Sequence, residues 1–179
     1  MATTIRSCTN LPFGPERAWE LLCDRDVIHA RTAAHESLSA ELTDHRLVAA
    51  PSPSVAIETQ GTMPASWLPA VIARRARDRM PSVHRTEVWE LPGGSPDDLQ
   101  GRMTFAIHGV EAASAHGRMH VVRADDGSEL CQEVVIMVRF PWLGTLIERS
   151  LSSRIHESLA AEGDFLARRG PGRPRGDRA

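Results

Sequence analysis

The stretch Phe140-Pro141-Trp142-Leu143-Gly144, and the amphipathic run from it to Arg168-Arg169, decides how this chain reads. After the breakers Pro141 and Gly144, apolar residues recur at Leu143, Leu146, Ile147, Leu151, Ile155, Leu159, Phe165 and Leu166. Spacings of three and four place them on one stripe of a helix. Glu148, Arg149, Ser152, Arg154, Glu157 and Asp164 fall on the other side and favour water. From 143 to 167 such a helix spans about 37 Å, longer than a typical globular helix. Residues 130–140 read as a strand, so the helix leaves a sheet and must fold back over something.

Working outward, 3–9 is a short strand candidate, broken by Leu11-Pro12-Phe13-Gly14-Pro15. Pro15 suits the first position of a helix and Glu16 its positive first turn. Ala18, Trp19, Leu22 and Cys23 form the buried stripe. Asp24 or Asp26 can cap a second short helix carrying Val27, Ile28 and Ala30. From residue 36 the period changes to two: Leu38, Ala40 and Leu42 alternate with Ser37, Ser39 and Glu41. Val55, Ile57 and Thr59 follow the Pro51/Pro53 turn. A strand over 83–91 holds Val88 and Trp89. Met103, Phe105 and Ile107 alternate with polar residues, Met119 and Val121 continue, and Leu130, Val134, Ile136 and Val138 line the last strand after the Asp125-Asp126-Gly127 turn. Residues 67–80 read as a partly helical excursion. The predicted order is strand, two helices, about six antiparallel strands, long helix.

Composition excludes several chemistries. All 21 basic residues are Arg, and Tyr is absent. Without Lys there is no Schiff-base amine, phosphate-loop Lys or Ser-Lys pair. Without Tyr there is no phenolic acid. Cys8, Cys23 and Cys131 are odd in number and widely spaced, which predicts reduced thiols packed as small apolar groups. With no signal-like leader and no run of 18 apolar residues, the expectation is a soluble cytoplasmic protein. The net charge is −2; residues 168–179 carry five Arg and one Asp, which leaves −6 on residues 1–167.

The element order resembles the helix-grip fold of the START-like superfamily, also called the polyketide cyclase/dehydrase and lipid-transport (SRPBCC) superfamily. More specifically it resembles a bacterial branch of unknown function. That likeness rests on Trp67-Leu68-Pro69, Thr86-Glu87-Val88-Trp89, Phe140-Pro141-Trp142-Leu143-Gly144 leading into Ile147-Glu148, and Glu162 with Phe165-Leu166. The resemblance implies an α+β domain over residues 1–168. A curved antiparallel sheet of six to seven strands wraps the long C-terminal helix, and two short helices follow the first strand. Residues 169–179 are expected to form a disordered basic tail. The branch has no established catalytic residues to carry over.

A curved sheet gripping one helix tends to leave a cavity, suited to an apolar molecule several rings or a chain long. The expected ligand-binding wall is Leu38, Leu42, Ile57, Met103, Phe105, Ile107, Met119, Val121, Val134 and Ile136, with Val55 on the same face. It looks toward Leu151, Ile155 and Leu159 on the helix, which acts as a movable wall. A plain filled core is the competing reading. The expected partner is a small hydrophobic molecule, lipid or polyketide-like, bound, transported or sequestered. A cyclase or dehydratase on the same fold is the enzymatic alternative, and an interaction module the third.

No metal or cofactor is expected. His116 and His120 have helical zinc spacing, but on a strand they stand about 13 Å apart. His29 and His35 straddle a helix end, and His108 reads as a surface residue. Glu58, Glu87 and Glu133 lie within strands; the favoured placement is outward, while an inward one would be desolvated and suited to acid-base work. Arg74, Arg75, Arg77 and Arg79 read as a solvated loop, with a cationic lip for transient anionic-membrane contact as the alternative. Gly172-Arg173-Pro174-Arg175 holds the Gly-Arg-Pro core of an AT-hook, but a single copy followed by Asp177 predicts no specific nucleic-acid binding.

Overall fold

The computed structural model describes residues 2–34, 39–49, 52–67, 74, 81–91, 97–108, 113–139 and 144–170. Strand β1 (Ala2–Leu11) leads into helices α1 (Pro15–Cys23) and α2 (Arg25–Ala33). Pro15 occupies the first turn of α1, and the Asp24 carboxylate caps α2 by accepting from the N–H groups of Asp26 and Val27. Six strands follow: β2 (Glu41–Val48), β3 (Ser54–Thr62), β4 (Ser82–Glu90), β5 (Asp98–His108), β6 (Ala113–Ala124) and β7 (Gly127–Val138). A 3-10 turn, Ala65–Trp67, follows β3, and α3 (Gly144–Arg169) ends the described chain. The strands make one curved antiparallel sheet in the order β1-β7-β6-β5-β4-β3-β2. The first strand thus pairs with the last, which brings α3 back over β1.

Register converts the alternation into rows across the inner face. One row runs Ser7, Gln132, Met119, Gly101, Trp89, Val55. There the Trp89 ring lies over Gly101, where a Cβ would fall 2.9 Å from two ring atoms. The next row is Ile5, Val134, Gly117, Met103, Glu87, Ile57. The third is Thr3, Ile136, Ala115, Phe105, Arg85, Thr59, Leu42. Trp89 packs with Leu11, Leu21, Leu22 and Leu166 around a void of only about 10 Å³. That end is a filled core.

Three contacts pin α3 to the β1–β7 side. Near its start the buried Glu148 carboxylate accepts from Thr3 Oγ1 (3.1 Å) and Val138 N–H (3.4 Å). Gln132 Nε2 donates to the Leu159 carbonyl (3.3 Å). At Gly163 the helix backbone meets Thr9 so closely that a Cβ would fall 2.8 Å from the Thr9 Cβ. These contacts seat the helix over β1 and β7. Held over β1 and β7, it leaves the face of β3–β5 opposite its other flank unfilled.

Several expectations are corrected. Leu146 is 54% exposed and off the buried stripe, while Glu148 and Glu162 are on it. Strand β2 begins at Glu41, and a bulge between Leu42 and Asp44 shifts its phase, so the alternation does not run through. Leu38, most of the 67–80 excursion including Arg75, Arg77 and Arg79, and the tail from 171 lie outside the described residues. Cys8 and Cys131 are a disulfide rather than reduced thiols, because register sets them opposite each other on β1 and β7. Cys23 is the free cysteine, half-buried, and burial pushes its thiol up to about 11. No described helix is long and apolar enough to cross a membrane.

Candidate functional site

The unfilled space is a cavity between β3–β7 and α3. Short side chains make it: Ala40, Thr59, Gly61, Ala115 and Ser158 contribute little volume to its wall. Met63, Trp67, Val83, Phe105, Ile107, Ile136, Leu151, Ile155 and Leu159 supply the apolar surface. Its volume is about 60 Å³. That is room for a few water molecules. A multi-ring occupant needs wall side chains to swing aside.

Four charged side chains share this wall: Arg31, Arg85, Glu87 and Glu162. Glu87 is 1% exposed, Glu162 3% and Arg31 4%. On β4 the inward parity is Val83, Arg85, Glu87, Trp89, so two charges point inward between two apolar residues. Arg31 Nη2 donates to Glu87 Oε1 at 2.7 Å, and Arg85 Nη2 lies 3.0 Å from the same oxygen. Trp89 Nε1 donates to Glu87 Oε2 at 3.2 Å. Arg85 also grips Glu162 in a fork, Nη2 to Oε2 at 2.9 Å and Nη1 to Oε1. The Arg85 Cζ sits 5.3 Å from the centroid of Phe105, over its ring. Burial alone would push this guanidinium down, but Glu162 and then Glu87 outweigh it and hold it above its ordinary range. Among the described residues, Arg85 Nε is buried with no hydrogen-bond partner.

The wall residues named from sequence divide by row. Phe105, Ile107, Ile136, Leu151, Ile155 and Leu159 border the cavity. Ile57, Met103 and Val134 are buried in the adjoining row, beside Glu87. Met119, Val121 and Val55 are buried too, with Val121 on the filled α1 side. Leu42 packs partly buried against the core without reaching the cavity wall. Alternation identifies the face but not the position along it.

Reasoning from sequence missed the charged cluster. The general preference of carboxylates for water places Glu87 outward and singles out neither Arg31 nor Arg85. One signal was available: Arg85 and Glu87 share the parity of Val83 and Trp89, and Glu162 sits in the stripe between Leu159 and Leu166. Glu58 and Glu133 do face outward; Glu58 meets Arg46 at 3.3 Å, and Glu133 lies opposite Arg6. His116 lies on the exposed parity of β6 with Arg118. Among the described residues, one trio brings metal-ligand atoms together, Cys8, Glu129 and Cys131, and its two sulfurs are bonded to each other.

A curved antiparallel sheet of this order gripping a long C-terminal helix, with a cavity between, is a helix-grip fold. The chain belongs to the family described as a protein of unknown function (DUF2505), whose profile matches residues 8–169. No curated protein matches it in sequence. Among solved structures it is similar to a protein from Thermus thermophilus, at a TM-score of 0.57 and 14% identity over 93% of this chain and 96% of that one. It is also similar to the Zhui aromatase/cyclase from a Streptomyces species, at 0.56 and 10% over 94% and 95%. A protein from Chromobacterium violaceum gives 0.54 and 12% over 95% and 99%. Identities this low establish the shared fold and nothing about chemistry.

Proposed function

We propose that this protein binds a small, mainly apolar molecule in the cavity between the sheet and α3, with the Arg31–Glu87–Arg85–Glu162 cluster at the polar end. One observation carries the reading: a buried, hydrogen-bonded charge cluster lines a space that is otherwise apolar. Such a cluster is weak evidence for a stability device, since apolar residues of similar volume often do as well. An apolar pocket with a few convergent polar groups is instead the usual form of a small-molecule site. The apolar walls supply non-directional burial, about 25 cal/mol per Å², and the charged end supplies orientation.

The enzymatic alternative draws on the same cluster, because ionisable side chains do line the cavity. Each oxygen of Glu87 and Glu162 already faces an N–H donor. Neither presents a bare carboxylate to the void, so binding is the better-supported reading. Native mass spectrometry after gentle purification, with melting measured against a panel of lipids and aromatic metabolites, tests it. Retained mass or a concentration-dependent rise in melting temperature is expected. A protein that carries nothing and is stabilised by no panel member refutes it.

A further inference from the structure

We infer that the outer face of the β1–β7 pair carries a second site, distinct from the cavity. It is a zinc site that forms when the Cys8–Cys131 disulfide is reduced, with Cys8, Cys131 and Glu129 as its protein ligands. Register builds it. Cys8 stands opposite Cys131, and Glu129 is two residues before Cys131 on β7 and so shares its face. Leu130 and Gln132 take the inner face of that strand, so these three residues point away from the cavity. One ligand atom from each lies within 4.8 Å of the other two. In a tetrahedral site with Zn–S bonds of about 2.3 Å, two sulfurs stand about 3.8 Å apart. With the Cα atoms of Cys8 and Cys131 4.1 Å apart, rotation about the side-chain bonds supplies that separation once the sulfurs are free, and the strands stay where they are.

The donor set selects the metal. Two thiolates and one carboxylate suit zinc and leave its fourth position to water, whereas calcium and magnesium require oxygen ligands. Glu129 faces uncharged strand partners, Asn10 on β1 and Val122 on β6, so neither is a cation competing for its carboxylate. Cys8 is exposed and Cys131 only 2% so, which lets a reductant reach one sulfur while the other anchors the metal against the sheet. A dithiol opens the bond: each protein sulfur gains one electron, the dithiol becomes a disulfide, and its two protons pass to the protein thiols. Zinc then displaces those two protons and makes two Zn–S bonds and one Zn–O bond. The first strand thus stays joined to the last in either redox state. That junction supports the cavity wall, because β1 carries Thr3 and Thr9, against which Glu148 and Gly163 of α3 are seated.

Cobalt(II), a coloured stand-in for zinc, reads the site directly. The full chain is reduced with dithiothreitol, freed of it by anaerobic gel filtration, and titrated with cobalt beside the oxidised chain. The reduced chain is expected to give, at one equivalent, the strong visible bands of tetrahedral cobalt and a near-ultraviolet sulfur-to-cobalt band. The oxidised chain should give neither. Cys8→Ser and Cys131→Ser should each lose that spectrum. Glu129→Gln should weaken zinc, measured by competition with a chromophoric chelator, by about tenfold or more, at least the loss seen when an outer-shell partner is removed. Circular dichroism follows the fold in every sample; if the reduced, metal-free chain loses structure, one equivalent of zinc is expected to restore it. A folded reduced chain without the tetrahedral spectrum, a spectrum that survives Cys8→Ser, unchanged zinc affinity in Glu129→Gln, or a reduced chain that zinc fails to refold overturns the inference. The binding reading of the cavity stands apart from each of these outcomes.

Discussion

Replacing Glu87 with Gln keeps the shape of the side chain and removes the charge that Arg31 faces. Arg31 is 4% exposed and has its ion pair with Glu87, at 2.7 Å. Breaking a buried pair from one side typically costs about 3–5 kcal/mol, because the surviving charge stays desolvated. Here the amide oxygen can still accept one N–H, and Arg85 keeps its fork on Glu162, so the low end applies, about 3 kcal/mol. For a domain of this size each kcal/mol moves the melting temperature by about 2–4 °C, which gives a fall of about 6–12 °C. Calorimetry and urea unfolding measure it, with a lower midpoint at unchanged slope. The Arg102–Glu90 pair is the internal control: its separation is 2.8 Å, but its side chains are 71% and 46% exposed. Glu90→Gln should therefore shift melting by less than about 2 °C. Adding Arg31→Leu to Glu87→Gln should recover part of the loss, since no unpaired charge then remains between them. If Glu87→Gln melts within about 2 °C of wild type, the cluster is not buried as described.

Other consequences follow from packing and protonation. Gly163→Ala should lose about 1–2 kcal/mol despite the better helix propensity of Ala, because the new methyl meets Thr9; a more stable variant would show that α3 does not rest on β1. Leu159, 1% exposed, and Ile155, half-buried on the cavity wall, separate folding from binding. Leu159→Asp should unfold the protein. Ile155→Asp should stay folded by circular dichroism and lose about tenfold in 2-ethylnaphthalene affinity through lost apolar contact; the reverse order would mean that the helix faces are misassigned. With its thiol pushed up to about 11 by burial, Cys23 is only about one-thousandth thiolate at pH 8, against roughly a quarter for an ordinary cysteine. Allowing for the greater nucleophilicity of a basic thiolate, alkylation should run about 20-fold slower than for a free peptide thiol and accelerate with pH. A rate matching the peptide at pH 8 would contradict the burial.

Local pattern was enough for the order of elements, and the resemblance to a helix-grip family supplied their arrangement. Period-two alternation, the Pro15 and Asp24 signals, and the three-and-four spacing of Leu151, Ile155, Leu159 and Leu166 are set by neighbours within a few residues. Each reports which face a side chain takes. Element order then left few ways to bury those faces, and the helix-grip arrangement is the one adopted.

The site depended on distances along the chain that local pattern does not span. Arg31 meets Glu87 across 56 residues and Arg85 meets Glu162 across 77, while Cys8 and Cys131 are 123 apart. Strand register decides such meetings, and periodicity specifies a face without specifying a row. Hence Phe105 and Met103, two residues apart on one face of β5, take different places: one on the cavity wall, the other in the packed row beside it. The stretch 140–169 showed by itself that a long helix must cover a sheet. Only the assembled structure shows that Glu148, Gly163 and the Leu159 carbonyl hold that helix over β1 and β7, and that the space left beside it is lined by two arginines and two glutamates. A charge survives burial only through its partners, and those are assigned by tertiary packing.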